Sequence, residues 1–468
     1  MTTTPTFMKK LFLLALLLSG CQLDRLTDPN NPTLESAITN PTKAKLDQLA
    51  AGTFASMRTD VDGIVWYYLT TGILGREIYV INTDNTYLRP LGVGDFNNNN
   101  FLSERYFATY SSGRRTARLL AQGAASSQLI TEEQRQGYLA LAGTAEAYDM
   151  LVLSDMQYEN GLRVDVSDPL RPGKIQKYPV VLAEIKKRLD AAAISLTKSG
   201  LNLPFPLPPG FQSAATQGLD FTTSAGFLKF NRALAARLGV RTATLPGGTY
   251  ADALAAVQAS FVDPAAPMTA GPQFDFGLGA ADVANPLYQV PNLPSSSGVT
   301  GAHPSFRRDL RPGDTRAAKV VDRSLAVGFG LSADSEPALY ASPASPVPVI
   351  KNEELLLILA EAQLRLGNRP AAVSAINTVA RAYGLRYAPA ASATTDNILD
   401  EILYQRRYSL YFEGQRWVDL RRLGKFSQLN APGTSLPEKL MDSGNTQTTV
   451  VTQLPLPFSE VAWDQANP

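Results

Sequence analysis

Residues 350–385 read IKNEELLLILAEAQLRLGNRPAAVSAINTVARAYGL, and this stretch decides the fold. Leu359 and Ala360 precede Gly367, and Ala372, Ile376 and Val379 follow it, with apolar residues at helical spacing on both sides. Small residues at Ala360 and Ala372 let two antiparallel helices approach closely. Gly367 permits the turn between them. Glu353 and Glu354 open the first helix, where acidic side chains favour the helix dipole and need no chemistry to explain them.

This spacing resembles the tetratricopeptide helix pair. Residues 233–254 repeat part of it, with Ala236, Gly248 and Ala253, interrupted by an insertion around Ala243–Gly247. Such hairpins build a scaffold that by itself says nothing of function. Further helical periodicity covers Lys43–Arg58, through Leu46, Leu49, Ala50, Phe54 and Met57. Helices are also expected over 104–123, 131–157, 178–198, 226–240, 250–261, 351–366, 370–383 and 396–423. No comparable series of alternating strands accompanies them, so the chain is expected to be mainly α.

Two breaks interrupt the helices. Residues 201–210, LNLPFPLPPG, are too rich in proline to be helical. Residues 262–349 form a far longer loop insertion, rich in Pro, Gly and Ser. Loops of this length are uncommon in compact domains and are usually functional or disordered. Phe274, Phe276, Tyr288, Phe306, Phe329 and Tyr340 argue against plain disorder here.

Near the carboxyl terminus, residues 402–426 read ILYQRRYSLYFEGQRWVDLRRLGKF. On one continuous helix, Arg406, Leu410, Glu413, Trp417 and Leu420 would share a buried face. Arg406 and Glu413 would lie two turns apart, so a direct pair between them is not expected. Glu413, Arg416 and Asp419 follow at three-residue steps, which makes a charged ladder available. Gly414 would cost about 1 kcal/mol in a helix interior, which suggests another backbone packed against it. Glu413 and Asp419 could be read as a catalytic carboxylate pair. The surrounding Arg386, Arg406, Arg407, Arg416, Arg421 and Arg422 would instead hold them ionised, the wrong direction for a general acid. The structural reading is the better one.

At the other end, Lys9 and Lys10 precede the apolar run Leu11–Leu18, closed by Leu18-Ser19-Gly20-Cys21. This is the layout of an export signal. Its apolar core is too short for a bilayer, which needs about 20 apolar residues. The last four residues resemble the bacterial lipobox, which implies cleavage before Cys21 and acylation of its thiol. Two or three acyl chains hold a protein firmly where one holds it marginally. The expected organisation is a lipoprotein signal peptide at 1–20, a lipid-anchored tether at 21–45, and a single α-helical domain at 46–468 carrying the insertion at 262–349.

Composition narrows the chemistry. The chain has 43 Lys+Arg against 42 Asp+Glu and so lacks the basic excess of a nucleic-acid binder. Cys21 is the only cysteine of 468 residues, which leaves no intramolecular disulfide. His303, the only histidine, can neither build a zinc site nor complete a Ser-His-Asp triad unaided. Ser295–Ser297 lack a GxSxG context, and Gly92–Gly94 lack a phosphate-loop lysine. No metal, cofactor or catalytic constellation is expected.

The string RRYSLYFEGQRWVDLRRLG (406–424) resembles the C-terminal signature of the SusD/RagB family of outer-membrane nutrient-binding lipoproteins. Residues 350–385 look like that family's last tetratricopeptide-like pair. AEAYDMLVLSDMQYENG (145–161) is similar to a diverged form of its long second-repeat helix, and LPLPFSEVAWDQANP (454–468) to its terminal strand and tail. The resemblance implies tetratricopeptide-like hairpins forming a right-handed superhelical scaffold with long ligand-binding loops. It makes Arg406, Glu413, Gly414, Arg416, Trp417 and Asp419 a structural signature. It further implies a non-enzymatic lid, facing the cell exterior, over a TonB-dependent SusC-like transporter, capturing an oligosaccharide or other nutrient for import.

The family's ligand residues are not part of its motifs, so only physics guides the site. Sugar rings lay apolar C–H faces on aromatic rings while amides, carboxylates and guanidiniums meet their hydroxyls. Trp66, Tyr67 and Tyr68, with Asp84, Asn85 and Tyr87 running into Asn97–Asn100, form the richest such mixture. The loop 270–345 is the second. The alternative is that Trp66 and its neighbours are core aromatics of the first helical pair. Trp417 reads as core, and Trp463 as packing for the tail. Other functions to weigh are a lipid-anchored helical-repeat adaptor and a glycoside hydrolase. The hydrolase needs two carboxyls about 5–9.5 Å apart in a cleft.

Overall fold

Short polar side chains set where the helices of the computed structural model begin, and it describes residues 38–59, 61–81, 97–168, 171–280, 282–328, 331–429 and 450–467. Thr42 accepts from the Lys45 N–H at the start of α1 (Lys43–Arg58), whereas α2 (Trp66–Leu74) continues directly from a π turn. Asn100 caps α3 (Phe101–Ser126), and Thr131 with Gln134 forms a capping box for α4 (Glu132–Gln157). A proline in the first turn opens both α5 (Tyr178–Leu196) and the single turn α6 (Pro209–Gln212). Thr223 and Thr249 cap α7 (Ser224–Thr242) and α8 (Tyr250–Gln258). After a short α9 (Ser305–Arg308) come α10 (Asn352–Arg365), α11 (Arg369–Ala382) capped by Asn368, and α12 (Thr395–Ser409) with its Thr394–Asn397 box. Helices α13 (Arg416–Arg422) and α14 (Phe458–Ala466) complete the set.

The protein is mainly α, as its periodicity predicts. Helix α3 packs on α4, α4 on α5, α5 on α7, α7 on α8, α8 on α10, and α10 on α11 and α12. A continuous apolar core runs through this array and includes Leu46, Tyr106, Tyr138, Leu153, Phe227, Leu234 and Leu355. Gly367 turns the chain between α10 and α11 with φ +84°, and Ala360 and Ala372 are fully buried where those helices meet. Among the described residues no helix is long and apolar enough to cross a membrane. Cys21, Asp84, Asn85, Tyr87, Gly92–Gly94 and Phe329 lie outside the described residues, as do the whole signal segment and most of the tether.

The insertion at 262–349 is an ordered set of short strands rather than one loop. Strand β1 (Ile78–Ile81) precedes it and pairs antiparallel with β5 (Val299–Ala302). The small β2 (Leu162–Arg163) and β3 (Ile175–Gln176) pair elsewhere, and β4 (Gln273–Phe274) pairs with β8 (Val347–Pro348). Strands β6 (Val320–Gly328) and β7 (Leu331–Pro337) form a hairpin whose register shifts between Asp322 and Ala326. That irregularity buries Val320, Arg323 and Ala326 at three-residue steps, so the period-two signal of a strand is erased from the sequence. Residues 201–210 are non-helical up to Pro208. Pro209 and Gly210, however, belong to α6, because proline is tolerated in a helix's first turn.

The largest correction concerns 396–423, which is not one helix. Helix α12 stops at Ser409, Phe412 takes φ 58° and Gly414 φ 77°, and α13 starts only at Arg416. Glu413 therefore does not share a helical face with Arg406, Trp417 and Leu420. Gly414 is required by its left-handed backbone and by a ring, not by a neighbouring backbone. A Cβ there would sit 2.7–2.9 Å from the Tyr67 ring.

The same turn buries Glu77, whose Oε1 accepts from the Phe412 N–H at 3.2 Å. Its carbonyl accepts from the His303 N–H at 2.9 Å and from the Tyr411 hydroxyl at 3.2 Å. Burial pushes the Glu77 carboxyl up to about 8, against the opposing pull of Arg416 and the Phe412 N–H.

Gly414→Ala is expected to destabilise the protein by about 1–3 kcal/mol from backbone strain alone, read as a lower urea midpoint. An unchanged midpoint contradicts the turn geometry. Glu77 carries a second prediction. Its folded pKa of about 8 lies above the reference 4.5, so the folded state keeps a proton that the unfolded state releases between those values. Its contribution is fully present below the unfolded pKa and is lost as pH rises through the folded one. Glu77→Gln keeps an acceptor for Phe412 and removes the titration. Its melting temperature relative to wild type should rise from pH 5 to pH 8, and a constant difference would show that Glu77 titrates normally.

Candidate functional site

The C-terminal signature assembles as a buried ion-pair network. Arg406 Nε donates to Asp419 Oδ2 at 2.6 Å, and Arg422 Nε donates to Asp419 Oδ1 at 3.0 Å. Arg422 also donates to both oxygens of Glu361, at 2.5 and 2.7 Å. Burial opposes ionisation of Asp419, but the two guanidiniums outweigh it and hold this carboxylate below its usual range. Glu413 instead accepts from Lys351 Nζ at 2.6 Å, and burial raises its pKa despite that partner. The charged ladder Glu413–Arg416–Asp419 does not form. Arg416 Nε donates to the Gly75 carbonyl at 2.9 Å. Trp417 is fully buried, its indole N–H donating to the Val451 carbonyl at 2.8 Å. Asp419 thus serves two arginines of the signature itself, and Glu413 serves a lysine 62 residues away.

The aromatic run at the second helix divides. Tyr67 is only 6% exposed, with its ring edge-on to Tyr68 and Tyr110 and its tip against Gly414. Tyr68 is buried as well. The expectation that Tyr67 binds ligand is therefore corrected: no ring face remains for a sugar. Trp66 is half-buried at the edge of the core. Of the asparagines that follow, Asn100 caps α3 and Asn97 Oδ1 accepts from the Asn99 N–H, so both serve the local turn.

Most loop aromatics are core too. Phe306 packs on Tyr408 and Tyr411, with ring centroids 5.0 and 4.5 Å apart. His303 is buried beside them, its Nδ1 bonded to the Ser305 hydroxyl at 2.8 Å. Burial first, then the nearby arginines, push its pKa down to about 3, which keeps the ring neutral. Among the described residues no cluster of His, Cys, Asp and Glu could hold a metal.

A cleft of about 540 Å³ lies elsewhere, between α1, the proline-rich loop and the segment after β4. Its apolar wall consists of Phe54, Pro206, Pro208, Pro209 and Phe276. Proline density holds the 203–208 backbone extended, which presents pyrrolidine faces side by side. Polar groups converge from the opposite side. Arg58 Nη1 donates to the Asp275 carbonyl at 2.9 Å, its guanidinium lies 5.5 Å from the Phe276 ring centre, and its Nε is buried without a hydrogen-bond partner. The Asp275 carboxylate accepts from the Gly210 N–H, and burial raises its pKa against the pull of that N–H and of Arg58. Asp282 accepts from the Gly279 N–H at 3.1 Å and closes the loop at the mouth. Apolar faces beside a guanidinium, carboxylates and Gln273 suit a sugar or another small amphipathic ligand.

The sequence reading named Phe276 and the proline string but did not bring them together, and it missed Arg58. The Arg58–Asp275 contact joins positions 217 residues apart, a distance no local pattern spans.

Residues 343–461 match the sequence profile described as the SusD family. No curated protein matches the chain. Among solved structures, it resembles surface glycan-binding protein A from Bacteroides uniformis at 17% identity and TM-score 0.68, over 91% of this chain and 99% of that one. It resembles B. fragilis NanU at 16% identity and TM-score 0.65, over 94% and 98% of the two chains. A laminarin binding SusD-like protein aligns at 17% identity and TM-score 0.58, over 88% and 96%. The C-terminal match to the SusD family falls on the residues of the buried network, and the fold shared with SusD-superfamily structures extends over nearly the whole chain.

Proposed function

We propose that this chain is a non-catalytic lipoprotein of the outer-membrane surface that captures an oligosaccharide and delivers it to a TonB-dependent SusC-like transporter. The cleft between Arg58, Pro206–Pro209 and Phe276 carries the proposal, because at about 540 Å³ it has room for a sugar and sets an apolar wall opposite convergent polar groups. A sugar's C–H face lies on the exposed pyrrolidines of Pro206 and Pro209, and Arg58, Gln273 and Asp282 meet its hydroxyls. The names of the laminarin binding and surface glycan-binding relatives support a glycan as the ligand. Lipid on Cys21 supplies the anchor. Trp66, with Asp84, Asn85 and Tyr87, is the second candidate site.

One observation favours a different reading. Asp275 and Asp282 both line the cleft, and a raised pKa at Asp275 is what a glycosidase acid needs. Each, however, is fastened to a backbone N–H that shapes a cleft wall, which favours a structural role.

Calorimetry of residues 22–468 against an oligosaccharide panel separates these readings. Arg58→Ala should weaken binding about tenfold, or about 1.4 kcal/mol, and Trp66→Ala should leave it unchanged; the reverse outcome moves the site to Trp66. The bound sugar should be recovered intact, and release of shorter products would establish a hydrolase. Full-length protein should fractionate with membranes and co-purify a large β-barrel transporter, whereas Cys21→Ala should remain soluble. A membrane-bound chain without a transporter would overturn the delivery step.

A further inference from the structure

A second cavity, of about 230 Å³, opens between α3, residues 161–173 and α14. Four arginines line it, Arg114, Arg115, Arg118 and Arg163, and only one carboxylate, Glu460. Ser111, Gln122 and Ser167 add neutral polar groups, and Phe107, Leu119 and Val166 an apolar patch.

The local ion pairs leave this wall short of negative charge. Arg163 is answered, by Glu460 and Asp464 at 2.6 Å each. Glu146 alone serves Arg118 at 2.7 Å, Arg188 at 3.0 Å and Arg114 at 4.0 Å, and Arg188 has Glu184 besides. Arg114 is 2% exposed, and it donates through Nη2 to the carbonyls of Arg163 and Val164, at 2.9 and 3.2 Å. Its Nε is buried with no hydrogen-bond partner. Burial raises the pKa of the nearby Asp149 carboxyl well above the usual carboxylate range, against the pull of Arg114. The Asp165 carboxylate accepts from the Ser167 hydroxyl at 2.6 Å. Arg115 is exposed and forms no ion pair among the described residues. A guanidinium fork next to an apolar patch recognises a planar oxyanion carried on a compact ring.

We propose that this cavity binds the carboxylate of an acidic monosaccharide unit, a uronate, with Arg114, Arg115 and Arg118 on the anion and Phe107 and Leu119 against the ring. The site is separate from the α1 cleft and stands whether or not that cleft binds sugar.

Calorimetry with D-galacturonate, D-galactose and sodium sulfate on residues 22–468 tests it. Galacturonate should bind at least about tenfold tighter than galactose, because only it offers an anion to the arginines. Arg115→Ala and Arg118→Gln should each weaken galacturonate about fivefold or more at unchanged melting temperature, by loss of a charge-assisted hydrogen bond. Arg115 is exposed, so its variant decides the matter if Arg118→Gln, which also unties Glu146, fails to fold. Equal affinity for galactose, or unaltered binding in Arg115→Ala, would overturn the proposal. Sulfate binding tighter than galacturonate would reduce the cavity to an anion pocket and overturn the sugar assignment.

Discussion

Arg422 lies buried between Asp419 and Glu361, and the rest of the structure depends on charges like these being paired out of water. Removing a carboxylate or guanidinium from water costs several kcal/mol, and stripping one partner from such a pair costs about 3–5 kcal/mol. The pairs therefore permit few alternative arrangements of the helices that carry them. Arg422 joins α13 to α10. Arg241 on α7 donates to both oxygens of Asp155 on α4 at 2.6 Å, where both side chains are almost fully buried. Arg237 on α7 grips Glu354 on α10 through two hydrogen bonds and reaches the Val349 carbonyl at 2.9 Å.

That last contact links scaffold to site. Val349 directly follows β8, which pairs with β4, and β4 leads into Asp275 and Phe276. A wall of the proposed binding cleft thus hangs on the same ion pairs that fix the hairpins. The chain's end is drawn into the network as well. Arg421 donates to the Thr452 and Asp155 carbonyls at 2.8 Å each, and the Leu454 N–H donates to the Met156 carbonyl at 2.9 Å. The C-terminal signature is a clamp that sets positions elsewhere, which explains why a motif so rich in ionisable groups faces no substrate.

The hairpins were legible because a helix buried on one face writes its period into the sequence, as around Ala360, Gly367 and Ala372. The break between Ser409 and Arg416 was not, because Phe412 adopts φ 58° for tertiary reasons that leave no local mark. Its trace in the sequence is Gly414, whose cost in a helix interior points to a close neighbour; that neighbour is the Tyr67 ring rather than a backbone. Tyr67 looked like a ligand residue because burial and sugar stacking select the same side chain; its edge contacts with Tyr68 and Tyr110 decide for burial. The α1 cleft was invisible as a unit, since Arg58, the proline string and Phe276 meet only after folding. The β6–β7 hairpin was hidden by its shifted register.

The central claim is that the proline-walled cleft holds an intact oligosaccharide. A crystal structure of residues 22–468 grown with the tightest-binding oligosaccharide tests this most directly. The account predicts an unbroken sugar chain lying across Pro206–Pro209, with Arg58 on its hydroxyls. Ligand seated only at Trp66, or a cleaved product with its new end beside Asp275, would contradict it.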